Sequence, residues 1–214
     1  MYVLNICFTQ FFEGMSMDWL YKNWSKLSLG LALVLTLLIF VFIKPSNTLL
    51  FLIWIQIPIY LLHQFEEHSR NGFKNYVNKK VFNVADGDYP LNDKNIFWIN
   101  IPIIWILMPL FAILSSINPL IGLWIPFFGI INSLSHVIFS IVNKQYNPGI
   151  LVSLILGIPV GIYALAIFYS NLQISYLVTF LSVGFSIILH IFVFVYIRNT
   201  YRKHTNKTHI NVPN

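Results

Sequence analysis

The stretch Thr48–His68, TLLFLIWIQIPIYLLHQFEEH, decides how the chain is read. Its apolar part, Thr48 to Leu62, is too short to cross a bilayer, which takes about 20 residues. The span is complete only if it carries His63, Glu66 and Glu67 into the membrane. Ionisable groups there cost free energy and persist mainly where they face a cavity, pair, bind an ion or do chemistry. The chain has seven acidic residues, and no others fall in an apolar stretch. If the helix ended near Leu62, the two acids would instead form a charged interfacial cap. The length argument favours the buried reading.

Composition agrees. Charged residues are 9% of the 214 and mean hydropathy is +0.71, whereas a soluble domain carries about 25% charge. This is an integral membrane protein. The pI of 9.4 reflects basic loops, because lysine and arginine are confined to gaps between apolar runs; nucleic acid is not expected as a partner. The single Cys7 excludes an intrachain disulfide and cysteine-only metal clusters. No Gly-rich phosphate loop, dinucleotide fingerprint or Ser-His-Asp arrangement is present.

The expected fold is all-α, a polytopic transmembrane bundle of about six spans near 27–44, 48–69, 96–115, 119–142, 150–170 and 174–197. The expected organisation is an N-terminal segment 1–26, a membrane domain 27–197 and a basic tail 198–214. Residues 1–14 or 1–16 read as untranslated, with Met15 or Met17 as the true start. Pro45, Asn118-Pro119 and Asn147-Pro148-Gly149 punctuate the boundaries, and Asp86-Gly87-Asp88 marks a turn in the one long polar connection, 70–95. Six spans place 12 of the 13 lysines and arginines on one side, leaving Lys44 alone on the other. By the positive-inside rule both termini are cytoplasmic, in a bacterial cell membrane, with the tail from Arg198 to Lys207 against anionic headgroups.

At 1.5 Å per residue, His63, His136 and His190 lie about 22, 25 and 24 Å along spans that all run inward. Three helices thus bring histidine to one depth. His63 is three residues from Glu66 and four from Glu67, so both carboxylates are expected to flank it. Asn132 and His136 likewise share a face. The bland alternatives are a packing role for His190, headgroup contacts for His68 and Arg70, and interhelical hydrogen bonding for Asn132.

These residues resemble a known family. The chain is similar to the HXXEE family of small integral membrane proteins: His63-Gln64-Phe65-Glu66-Glu67 satisfies the naming motif, Asn132-x-x-x-His136 a second, and Tyr146-Asn147-Pro148-Gly149 a third. The resemblance implies a site and no reaction. Locally, Pro148 and Gly149 predict a tight turn that brings the Tyr146 hydroxyl toward the cavity mouth.

The chemistry expected first is a metal-dependent hydrolase acting on a lipid, isoprenoid or peptide. Its ligands would be drawn from His63, Glu66, Glu67, His136 and His190, holding a divalent metal such as zinc with a position left for water. One glutamate would be ligand and the other general base, with Asn132 and Tyr146 assisting. Two alternatives stay open: a small transporter or ion-coupled carrier, and a metal-free glutamate-dependent intramembrane protease. The protease pattern fits less well, since Arg70 falls one residue early.

Overall fold

The computed structural model describes residues 16–43, 47–84 and 89–210, with side chains to residue 203. Residues 1–14, Met15, Lys44, Pro45, the turn Asp86-Gly87-Asp88 and the side chains of His204, Lys207 and His209 lie outside the described residues. The chain is all-α, with six helices long and apolar enough to span a membrane. These are α1 (Met17–Ile43), α2 (Thr48–His68), α4 (Asp93–Leu114), α5 (Pro119–Asn143), α6 (Ile150–Asn171) and α7, which crosses as Tyr176–Lys203 and continues to Ile210. A short helix, α3 (72–81), lies in the connection between α2 and α4.

Asparagine and serine caps set the helix starts. Ser16 Oγ accepts from the Trp19 amide, Asn47 from Leu50, Asn92 from Asn95 and Asn118 from Leu120, each satisfying an amide that has no intrahelical partner. After the Ser16 cap the helix α1 begins at Met17, ahead of the apolar run expected from 27, and its early turns bury Trp24 and Ser25. The basic segment after 197 is likewise helical to Ile210. The connection 70–95 is not a plain loop: α3 is anchored by Lys74 Nζ to Asp93 at 2.8 Å and by Asn78, whose amide exchanges two hydrogen bonds with the Leu91 backbone.

Prolines shape the spans. Pro58 cannot donate to the Trp54 carbonyl, and α2 is interrupted at Ile55. Pro109 and Pro159 would have bonded Trp105 and Ile155; both spans widen to π-helix just before them, over Ile101–Leu107 and Ser153–Gly157. The core lies among α2, α4 and α5, around Ile53, Met108, Leu123 and Ile125, each with no exposed surface. Large apolar side chains also cover the outside, where Val41, Ile155 and Phe180 are 63%, 68% and 74% exposed. That inside-and-out apolarity suits lipid as the surrounding solvent. On α6, Gly157 and Gly161 let α5 approach closely: a Cβ at Gly157 would sit 2.2 Å from Ser133 Oγ, and one at Gly161 2.6 Å from Ile130.

Candidate functional site

The end of α2, the middle of α5 and the start of α6 meet at one buried point. Helical spacing puts His63 and Glu67 on one face of α2, and Nε2 of His63 lies 3.5 Å from Glu67 Oε2. From α5, Nε2 of His136 lies 3.7 Å from the other oxygen, Oε1. The two imidazoles are 4.6 Å apart between centroids. His68 adds a third nitrogen, its Nε2 3.1 Å from Glu67 Oε2. All four side chains are buried.

Their outer partners assign the tautomers. Ser153 Oγ donates to the Gly149 carbonyl at 2.7 Å, so toward His63 Nδ1, 3.4 Å away, it can only accept. Nδ1 of His63 therefore carries the proton and Nε2 the lone pair, as the Asn132 amide nitrogen 3.0 Å from Nε2 also requires. On the other ring, Asn147 donates its Nδ2 to the His136 carbonyl and turns Oδ1 to His136 Nδ1, 3.4 Å away. His136 Nε2 is then also a lone-pair nitrogen. Two imidazole lone pairs thus face the two oxygens of one carboxylate. Acceptors do not gather in a buried place without a positive charge among them, either a proton or a metal ion.

His63, Glu67 and His136 offer ligand atoms all within 4.8 Å of one another, a group that can hold a metal ion. Tetrahedral zinc would bring its ligand atoms to about 3.4 Å apart; here the two histidines stand 3.5 and 3.7 Å from different oxygens of Glu67, and the group as a whole lies within 4.8 Å, so a small inward adjustment would complete the site. The Nδ1–H groups bonded outward to Ser153 and Asn147 are the support that metal-binding histidines ordinarily have.

The other expected site residues are placed differently. Glu66 does not join the group, because adjacent helical positions point about 100° apart. Its carboxylate faces α6, which has Gly149 before its first turn and no cap of its own. Glu66 Oε1 accepts from the Leu151 amide at 3.0 Å and Oε2 from Val152 at 2.8 Å, a cap supplied from another helix. Tyr146 donates its hydroxyl to Glu66 Oε1 at 2.7 Å, so it supports that cap rather than the histidine group. Partial burial of the hydroxyl and this bond to the carboxylate push its pKa up to about 12. His190 is outside the three-residue group: its Nδ1 donates to the Ser186 carbonyl at 2.8 Å and its ring lies 4.5 Å from Phe128. Arg70 is exposed past the end of α2.

Gly149 separates the two rings. Its φ is +98°, and a Cβ there would stand 2.5 Å from His63 Cε1 and 3.1 Å from His136. Pro148, beside it, abuts Gly72 of α3, where a Cβ would come within 2.9 Å of Pro148 Cγ. Sequence reasoning missed Ser153, Asn147 and a tie from α2 to α4: Gln64 donates to Asn100 at 3.1 Å and accepts from the Trp105 indole at 3.0 Å. Asn147 had a signal, being inside a motif already singled out; Ser153 and Gln64 had none, since their partners lie 90 and about 40 residues away.

A cavity of about 280 Å³ adjoins the group, with Glu67, His68, Asn132, His136 and His190 on its wall. The rest of the wall is mainly apolar, from α3, α4, α5 and α7, including Tyr76, Ile103, Ile104, Phe128, Val193 and Ile197. His63 lies behind Glu67, outside that wall, and Tyr146 is absent from it.

A family model described as a protein of unknown function with HXXEE motif matches residues 54–164, just over half of the chain, and contains every residue of the group. No curated protein and no solved structure matches.

Proposed function

The chain belongs to the HXXEE family, and from its buried histidine–glutamate group we propose that it is a membrane-embedded metal-dependent hydrolase of lipid, isoprenoid or peptide substrates. One observation carries this reading: Nε2 of His63 and Nε2 of His136 converge on the two oxygens of the buried Glu67 carboxylate, in a group of three whose ligand atoms all lie within 4.8 Å of one another. His63, Glu67 and His136 are the proposed ligands of a divalent ion, zinc being the best match in ligand type and separation. When bound, such an ion supplies a Lewis acid and makes water a nucleophile near neutral pH.

The chain's own residues do the rest. Ser153 and Asn147 hold the two imidazoles with Nε2 turned inward. His68, against Glu67 and on the cavity wall, is placed to move a proton; its Nδ1 is buried without a hydrogen-bond partner. It takes the part that the spacing had suggested for a second glutamate, since Glu66 is committed to α6. Asn132 accompanies His63 and reaches the same cavity, where its amide can donate to a developing oxyanion. On the expected orientation the centre lies toward the cytoplasmic face of the cell membrane, with the basic tail near anionic headgroups.

The test is elemental analysis by plasma mass spectrometry on detergent-purified protein. Wild type should carry close to one zinc or similar ion per chain. His63→Ala, Glu67→Gln and His136→Ala should lose it while eluting as folded monodisperse protein, and Glu66→Gln should keep it. A folded wild type free of metal would overturn the metalloenzyme reading. The charge among the acceptors would then be a proton, which favours a metal-free glutamate catalyst or a proton-coupled carrier.

A further inference from the structure

The cavity is more selective than the proposed reaction requires. Its polar groups, Glu67, His68, Asn132, Asn147, His136 and His190, share its wall with a larger apolar surface from three membrane-spanning helices and the short helix α3. Its lining includes Phe139 on α5 and Phe194 on α7, 48% and 57% exposed, both within membrane spans, besides Val81 of α3, 49% exposed. What surrounds the two phenylalanines in a bilayer is lipid, which offers a lateral way in between two helices. At about 280 Å³ the space is just below the range usual for small-molecule sites, about 300–1,000 Å³, which suits one slender chain.

A second observation points to what that chain carries. Nδ1 of His190 donates to a backbone carbonyl, so its Nε2 bears a lone pair; that atom is buried and has no hydrogen-bond partner. A buried acceptor left unmet is costly, and it is complemented by an incoming O–H or N–H. The group is half-buried against Phe128 on the cavity wall, on the helix facing His136. No residue described elsewhere in the proposed reaction uses it.

Building on the hydrolase reading, we infer that the cavity receives the hydrocarbon chain of a single-chain lipid, which enters from the bilayer past Phe139 and Phe194 and donates a hydroxyl or N–H to Nε2 of His190. The chain lies among α4, α5 and α7, and the head, with its cleavable bond, lies at Glu67 and His136. A peptide is a poorer occupant because its backbone brings several donors and acceptors into walls that offer few.

The experiment is photoaffinity labelling of wild-type protein in phosphatidylcholine nanodiscs, using a monoacylglycerol with a diazirine midway along its chain. Cross-links mapped by peptide mass spectrometry should fall on inward positions such as Ile103, Ile104, Val193 and Ile197. Excess 1-oleoylglycerol should suppress them at least tenfold. Cross-links confined to outward positions such as Ile155 and Leu177, unaffected by competitor, would overturn the inference, as would displacement by a hydrophobic decapeptide but not by 1-oleoylglycerol. Val193→Trp, which fills the cavity, should abolish the inward labels. His190→Phe should weaken competition by 1-oleoylglycerol about tenfold and leave methyl oleate, which has no donor, unchanged; equal weakening of both would remove His190 from the inference. Metal analysis of the labelled wild type separates the two proposals: inward labelling that persists in a wild type free of metal leaves the lipid site standing and the hydrolase reading overturned.

Discussion

Gly149 is where any side chain would drive two histidines apart. Its φ of +98° already disfavours other residues, and the missing Cβ is what lets His63 and His136 stand 4.6 Å apart. Gly149→Ala should therefore lose bound metal although it removes no ligand, with about 1–2 kcal/mol of strain at the backbone alone; elemental analysis beside thermal unfolding reads both. Tyr146 gives a prediction in pH. Its pKa is raised from the ordinary 10 to about 12 by burial and by the Glu66 carboxylate. The neutral hydroxyl is the form the fold favours, so this contribution is complete below pH 10 and is lost as pH rises through 12. Ultraviolet titration at 295 nm should show that Tyr146→Phe removes one tyrosine from the late-titrating part of the curve. A Tyr146 titrating with exposed tyrosines would refute the bond to Glu66. At this scale, spacing alone made His63, Glu67 and His136 legible, because a helix places i and i+4 together and depth aligned the spans. It could not separate Glu66 from Glu67, since which face of α2 meets α6 is decided by packing.

The two neighbouring glutamates divide α2 between two partners. Glu67 faces α5; Glu66 caps α6, which has none of the asparagine or serine caps that start α1, α2, α4 and α5. Glu66→Ala should lower stability by about 1–2 kcal/mol, the scale of a lost cap, measured by unfolding in detergent, while metal content stays near wild type. A loss of metal equal to that of Glu67→Gln would mean that Glu66 belongs to the centre after all. The π-helical stretches follow the same logic of local cause. Prolines in α4 and α6 were visible in the sequence, but the widening they produce was not, and Ser153 reaches His63 from the first residue of such a stretch. Helix ends were read less well than helices: α1 and α7 both outrun their apolar cores, because capping and helix propensity continue where hydrophobicity stops.

For the molecule as a whole, the number and order of the spans were legible from hydropathy and turn chemistry. Charge then gave an orientation. Reporter fusions should place both termini in the cytoplasm, with alkaline phosphatase silent and green fluorescent protein bright at either end; the reverse pattern would invert the sidedness of the site.

The contact between His63 and Ser153 spans 90 residues of sequence, and this has a meaning for biogenesis. A membrane chain is threaded into the bilayer in order as it is made, so His63 and Glu67 are in place first and His136 joins with the fourth span. The turn that spaces and orients the two imidazoles, Asn147 to Ser153, arrives only as the fifth span begins. A chain halted after the fourth span has all three acceptors and none of the parts that aim them. The centre is therefore completed late in synthesis, and a stalled or truncated product does not carry an assembled one.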